Sequence, residues 1–240
     1  MEYSKSIELY EDGIGKVDYV SHMGSDLTVV NSARVSFGVE KDELDDKDRK
    51  LINYLIKHRH TSTLEHNLLT FRFTVPLYVR SQHHRHRTWS YNEISRRYTD
   101  VNIQFYEPKA FRTQHKSNRQ ASNAEELINP KIVFYWDEST SGYKASETMR
   151  EFHQGALELY NSMIEAGVCR EQARGVLPQN LYTEYYGTVN LSNLLKFIDL
   201  RTHEGAQWEI QKVAEACLEI ATDLFPETVG AYRRIRSENE

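Results

Sequence analysis

Cysteine occurs twice in 240 residues, at Cys169 and Cys217. Two thiols make neither a disulfide framework nor a zinc motif, and they suit a reducing compartment. Long apolar runs are absent too. Nothing approaches the ~20 residues that span a bilayer, and the opening MEYSKSIELYEDG has no signal-peptide core. The expectation is a cytoplasmic protein with no membrane partner. An excess of positive charge is also absent, with 30 Lys and Arg against 35 Asp and Glu. A net charge of −5 means the whole molecule is not drawn to a polyanion, so any cationic site is local. That counts against a general nucleic-acid binder. No internal repeat or low-complexity segment is visible.

What is present is ordinary for a soluble globular chain, at 39% hydrophobic and 27% charged residues, enough to bury a core. Residues 41–58 place Leu44, Leu51, Ile52, Leu55 and Ile56 on one helical face. Leu69, Phe71, Phe73 and Val75 alternate with Thr70, Arg72 and Thr74, a half-buried strand stopped by Pro76. Val101, Ile103 and Phe105 alternate likewise and predict a second strand. Residues 110–145 are polar and irregular, a long surface excursion. A helix runs from Met149 and closes near Gly167. NLYTEYYGTVNL reads as a strand, and Trp208 opens a helix with Ile210, Val213, Ala214, Cys217, Ala221 and Leu224 on one stripe. These elements predict one mixed α/β domain over residues 1–240, with antiparallel strand pairs flanked by helices.

One stretch stands apart. RHRTWSYNEISRR, Arg85 to Arg97, holds four arginines and no lysine, and it falls between the first two predicted strands. Guanidinium groups grip phosphate or carboxylate with paired donors, and so many in one connection repel one another unless an anion lies between them. A solvated charged face is the plain alternative. Ser90, Asn92, Glu93 and Ser95 tip the balance, because they offer the mixed donors and acceptors that orient a sugar and a base.

Other constellations are weaker. Six of the ten histidines lie between His58 and His86, but arginines interleave them and oppose a dication, so no metal is expected. Ser62 and Glu65 have the spacing of a helix capping box, which competes with a ligand contact. Cys217 lies on a core stripe and Cys169 has no neighbouring histidine, so neither reads as a catalytic thiol. Arg170 and Arg174, one helical turn apart, could be plain surface residues. An RNA-binding module using the same arginines would want exposed stacking aromatics and a broad basic face, which a net charge of −5 does not favour.

Read as R-H-R-x-x-S-x-N-E-x-S-x-R, Arg85 to Arg97 resembles the signature of flavin-dependent thymidylate synthases. HTSTLEH (60–66), FYEPKAFRTQHKSNRQAS (105–122), ARGVLPQNLYTEYYGTVNL (173–191), FIDLR (197–201) and AQWEI (206–210) resemble that family's other blocks in the same order. The resemblance implies conversion of dUMP to dTMP, with methylenetetrahydrofolate as carbon donor and FAD, recharged by NADPH, as hydride source. It implies dUMP contacts at Gln82, Arg85, Glu93, Ser95, Arg96, Arg97, Arg174 and Arg201. Arg201 would be the catalytic group, activating the pyrimidine without a cysteine nucleophile. For FAD it implies Ser62, Arg85, His86, Arg87, Thr88, Glu93, the Asn190 to Ser192 segment and Lys196, with His60 and Tyr98 on the folate side. It further implies a homotetramer with shared active sites. Two positions depart from the pattern: Gly205 stands in place of an expected histidine, and Lys196 where asparagine is common.

Overall fold

The computed structural model describes residues 3–133 and 142–238. Its centre is strand β3 (Leu68–Pro76), whose alternation is realised: Leu69, Phe71, Phe73 and Val75 are fully buried while Arg72 faces solvent. Thr74 departs from the alternation and is buried as well. Two other long strands flank it, β2 (Lys16–Met23) on one side and β9 (Tyr182–Asn190) on the other. Short strands β1 (Ser6–Glu8) and β4 (Ser90–Glu93) close the two edges. The order is β1-β2-β3-β9-β4, and every pairing is antiparallel.

Helices α1 (Asp26–Arg34), α2 (Asp46–Lys57) and α3 (Leu77–His83) come from the first half of the chain. Asp45 caps α2, its carboxylate accepting from the Lys47 and Asp48 amides at 2.8 and 3.0 Å. Between β4 and the 21-residue helix α4 (Ala145–Glu165) lie a hairpin, β5 (Phe111–Gln114) with β6 (Ser122–Ile128), and the short pair β7 (Lys131–Ile132) and β8 (Tyr143–Lys144). The chain continues through α5 (Arg170–Ala173) into β9, then α6 (Leu191–Arg201), α7 (Trp208–Leu224) and α8 (Pro226–Ser237). The α7 stripe packs as its spacing predicts, with Ile210, Val213, Ala214, Cys217 and Ala221 fully buried in the main core. A smaller cluster joins Tyr160, Ala173, Leu177 and Leu181.

Four expectations need correction. Val101 to Phe105 is no strand. Asn102 adopts φ +54, and Arg96 Nη1 takes the Val101 carbonyl at 2.6 Å, leaving one bridge from Phe105 to Leu181. The arginine-rich motif is therefore not a connection between two strands. It begins just beyond α3 and itself forms edge strand β4 on β9. Residues 110–145 are not wholly irregular, since β5 and β6 pair there; residues 134–141 of that stretch lie outside the described residues. Ser62 and Glu65 do not form a capping box. They lie in a 3-10 turn over Thr61–Leu64, where the Glu65 amide bonds the Ser62 carbonyl at 3.1 Å and the Thr63 hydroxyl bonds that of His60.

Gly187 shows how tightly the sheet is packed. It lies in register between Phe71 and Tyr91, and a Cβ there would stand 2.9 Å from the Phe73 ring and 3.2 Å from that of Trp89. Phe73 is fully buried and stacked on Tyr185 at 5.0 Å, so it has no room to yield. Gly187→Ala is expected to cost about 1–3 kcal/mol of stability through overpacking. Urea denaturation would measure it, and an unchanged midpoint would show that the rings can move.

Candidate active site

The region around the motif is organised by one buried histidine. His83 ends α3 and is completely buried, its Nδ1 hydrogen-bonded to the Tyr185 hydroxyl at 2.8 Å. Its ring lies against Phe197 of α6 at 4.7 Å, Phe73 at 4.8 Å and Trp89 at 4.5 Å. The Tyr91 hydroxyl donates to the carbonyls of His83 and His86 at 3.0 and 3.3 Å, folding residues 83–91 over this cluster. Helix α3, the motif and α6 are thereby fixed against one another.

Arg201, in the last turn of α6, meets the motif at this junction. Its Nε donates to His86 Nε2 at 3.1 Å, and Nη2 lies 3.5 Å from the Gln82 carbonyl. Among the described residues Nη1 has no hydrogen-bond partner. Burial and the nearby Arg85 charge push the Arg201 pKa down. Burial, and then the charge of Arg201, push His86 down to about 4, so the imidazole is neutral at pH 7 and its Nε2 can accept. Burial pushes His83 well below its ordinary value, and it lowers His84 as well.

A second group lines a cavity of about 570 Å³ between β4, α5 and the start of β9. Glu93, Ser95, Arg96 and Arg174 meet there, with Arg80 and Glu171 beside them. Glu93 is fixed twice, by the Thr183 hydroxyl at 2.7 Å and by Arg80 at 3.1 Å. Arg96 is partly committed to the 101–102 turn, and burial lowers its pKa. Arg174 sits in a 3-10 turn just after α5, whereas Arg170 pairs with Asp100 at 3.1 Å. The two arginines of CREQAR therefore do different things. Arg97 is exposed beside this group, 3.8 Å from Glu171, with its guanidinium over the Tyr98 ring.

A third group lines a larger cavity of about 780 Å³ between α2, α6 and α8. Of the expected residues, His60, Ser192 and Lys196 are there, together with Lys57, Arg59 and Asp199. Ser192 is buried and its hydroxyl has no hydrogen-bond partner among the described residues. Asn190 caps α6, its Oδ1 accepting from the Asn193 amide at 2.9 Å. Ser62, Arg85, Arg87 and Thr88 are exposed and line neither cavity. At the departure from pattern, His203 Nδ1 accepts the Gly205 amide at 3.0 Å, so that ring is folded back on its own loop. Among the described residues no three His, Cys, Asp or Glu side chains gather as metal ligands.

The profile of the family described as thymidylate synthase complementing protein matches residues 18–227. A flavin-dependent thymidylate synthase of Thermus thermophilus is 43% identical over 218 residues, covering 91% of this chain and 75% of that protein. The chain belongs to the flavin-dependent thymidylate synthase family. A second member, from Thermotoga neapolitana, is 41% identical over 219 residues, covering 91% of this chain and 90% of its own. The fold agrees. The UMP/dUMP methylase PolB of Streptomyces cacaoi, in its crystal structure with 5-Br dUMP, aligns with a TM-score of 0.75 and 34% identity, over 95% of this chain and 97% of that one.

Within this member of the family, the sequence motifs locate Arg201 and the β4 residues but not what holds them. Arg80 and Tyr91 act through Glu93 and two backbone carbonyls, contacts that no spacing announces. The histidines make a testable electrostatic statement. Their folded-state pKa values lie below the ordinary value of about 6.5, so the unfolded chain binds more protons as pH falls. Their neutral forms support the fold fully above pH 6.5, and that support drains away as pH falls toward 4. The urea midpoint at pH 5 is expected below that at pH 7.5, and His86→Phe should narrow the gap. A midpoint flat across this range would show that the three rings titrate normally.

Proposed function

We propose that this protein is a flavin-dependent thymidylate synthase, a single family domain that reductively methylates dUMP to dTMP. In this reading methylenetetrahydrofolate is the carbon donor, and FAD, recharged by NADPH, is the hydride source. The observation that carries it is the placement of Arg201, a partly buried guanidinium held by a neutral histidine with Nη1 left for a ligand. Uracil is a poor carbon nucleophile at C5 until negative charge builds on its ring. A pre-oriented guanidinium favours that charge, and such electrostatic stabilisation is often the largest catalytic contribution.

The dUMP contacts in this reading are Gln82, Arg85, Glu93, Ser95, Arg96, Arg97, Arg174 and Arg201. Arg96 and Arg174 answer a phosphate, and Glu93, held by Thr183 and Arg80, answers a sugar hydroxyl. The larger cavity fits a polar, anionic cofactor, because the buried Ser192 hydroxyl lacks a partner among the described residues and Lys57, Arg59 and Lys196 stand around it. Ser62, Arg85, His86, Arg87, Thr88, Glu93, Asn190, Ser192 and Lys196 would hold FAD, with His60 and Tyr98 on the folate side. Bound and reduced, the flavin supplies the hydride, while the chain contributes binding, orientation and charge. Two separate cavities carrying different parts of one ligand set are in keeping with a homotetramer whose sites are shared between subunits. Two free cysteines and the absence, among the described residues, of any helix long and apolar enough to cross a membrane are in keeping with a cytoplasmic enzyme.

The thiols favour a route without a covalent cysteine adduct. Cys217 is completely buried and burial pushes its pKa far up, while Cys169 is an exposed residue ahead of α5 whose Sγ lies 3.6 Å from Gln172 Oε1. The Cys169→Ala, Cys217→Ala double variant is expected to retain most dTMP formation, with roughly 1 kcal/mol lost in stability at position 217. Abolished turnover in a folded, flavin-loaded double variant would overturn the route. Arg201→Lys keeps the charge but not the planar fork. It should fold and bind flavin while losing about a hundredfold in kcat. Turnover near wild type would leave Arg201 a structural residue.

A further inference from the structure

Gln82 takes part in a chain of side chains that begins far from the motif, in the β5–β6 hairpin. Arg112 of β5 donates through Nη2 to both carboxylate oxygens of Glu209, at 2.7 and 2.8 Å. Glu209, in the first turn of α7, is almost completely buried and also receives the Tyr106 hydroxyl at 3.5 Å. Gln207, two residues earlier, places its Nε2 2.8 Å from Glu209 Oε2. The Gln207 Oε1 atom in turn accepts from Gln82 Nε2.

The direction of each link follows from donor and acceptor chemistry. An amide group is almost symmetric in shape, so its orientation is read from its partners. The Glu209 carboxylate already accepts from a guanidinium on both oxygens, so the Gln207 atom beside it is the donor nitrogen. The Gln207 carbonyl must then face Gln82, and Gln82 must answer with its own nitrogen. That leaves Gln82 Oε1, which accepts no hydrogen bond from any described residue. Without Gln207 and Glu209 the Gln82 amide could turn over freely and offer either face.

We infer that Gln207 and Glu209 are positioning residues that fix the Gln82 amide with its carbonyl toward the nucleotide, so that Gln82 selects a ligand carrying an N–H or O–H donor. This rests on the reading of Gln82 as a dUMP contact. A buried acceptor that loses its donor is left unsatisfied, which makes such a contact discriminating. On dUMP the shared chemistry has two sources, the pyrimidine N3–H and the sugar 3′-hydroxyl.

The experiment is a nucleotide titration of flavin-loaded wild type, Gln82→Met, Gln207→Met and the double variant. Three ligands are compared: dUMP, 3-methyl-dUMP and 2′,3′-dideoxyuridine monophosphate. Gln207→Met is expected to weaken dUMP about five- to tenfold, with no further loss when added to Gln82→Met. For one of the two analogues, the one lacking the donor that is read, Gln207→Met should change nothing. Glu209→Gln, which keeps the shape but lets both amides turn, should give a smaller loss with the same dependence on ligand. Additive losses in the double variant, or equal losses for all three nucleotides, would overturn the positioning role while leaving the functional reading intact. A wild type that binds no dUMP would remove the functional reading, and this selection with it.

Discussion

Everything around the motif depends on a buried imidazole that is not allowed a charge. His83 is enclosed by Phe73, Trp89, Phe197 and the Tyr185 hydroxyl, and an ionised ring there would have to be stripped of water with no counter-charge. The ring is therefore a packing element with one polar edge. It joins the end of α3 to the sheet through Tyr185 and to α6 through Phe197. Gln82, Arg85 and His86 leave one side of this joint, and Arg201 leaves α6 on the other. Their mutual distances are inherited from aromatic packing, which changes in discrete steps because interiors are close-packed.

Cationic chemistry in an acidic protein then becomes a local matter. The arginines in and around the motif are not pooled, although Arg85, Arg87 and Arg97 face solvent. Arg201 rests on a neutral histidine, Arg96 holds a turn, Arg80 steadies Glu93, and Arg85 and Arg87 are exposed. Arg201, Arg96 and Arg80 each have some of their donors already committed. A cluster built this way can present positive charge to an anion from several directions.

Strand and helix alternation was legible wherever burial is one-sided. Leu69 to Val75 and the Trp208 helix could be read directly, because each apolar position meets the same core. The Val101 to Phe105 alternation misled for a physical reason: period two shows that side chains could alternate, not that a partner strand exists. Here a positive φ at Asn102 and the grip of Arg96 on the Val101 carbonyl prevent one. Ser62 and Glu65 misled in the same way, since a capping box needs a true helix behind it and a 3-10 turn stands there instead. In the candidate site the residue types were legible and the wiring was not. Nothing in AQWEI says that Gln207 faces Gln82, because that meeting is set by how α7 crosses α3.

Gly187 carries a consequence for how this chain can drift. The space its missing side chain leaves is occupied by the edges of Phe73 and Trp89, one from the neighbouring strand and one from the motif. Ring size at two positions and the absence of a Cβ at a third are thus one volume shared among three residues. A relative that places alanine or serine in that register of β9 would need a smaller side chain at one of the other two. Substitutions at the three positions should therefore travel together. The motif tryptophan, which touches no cavity described above, would be retained for the sake of a glycine almost a hundred residues further along the chain.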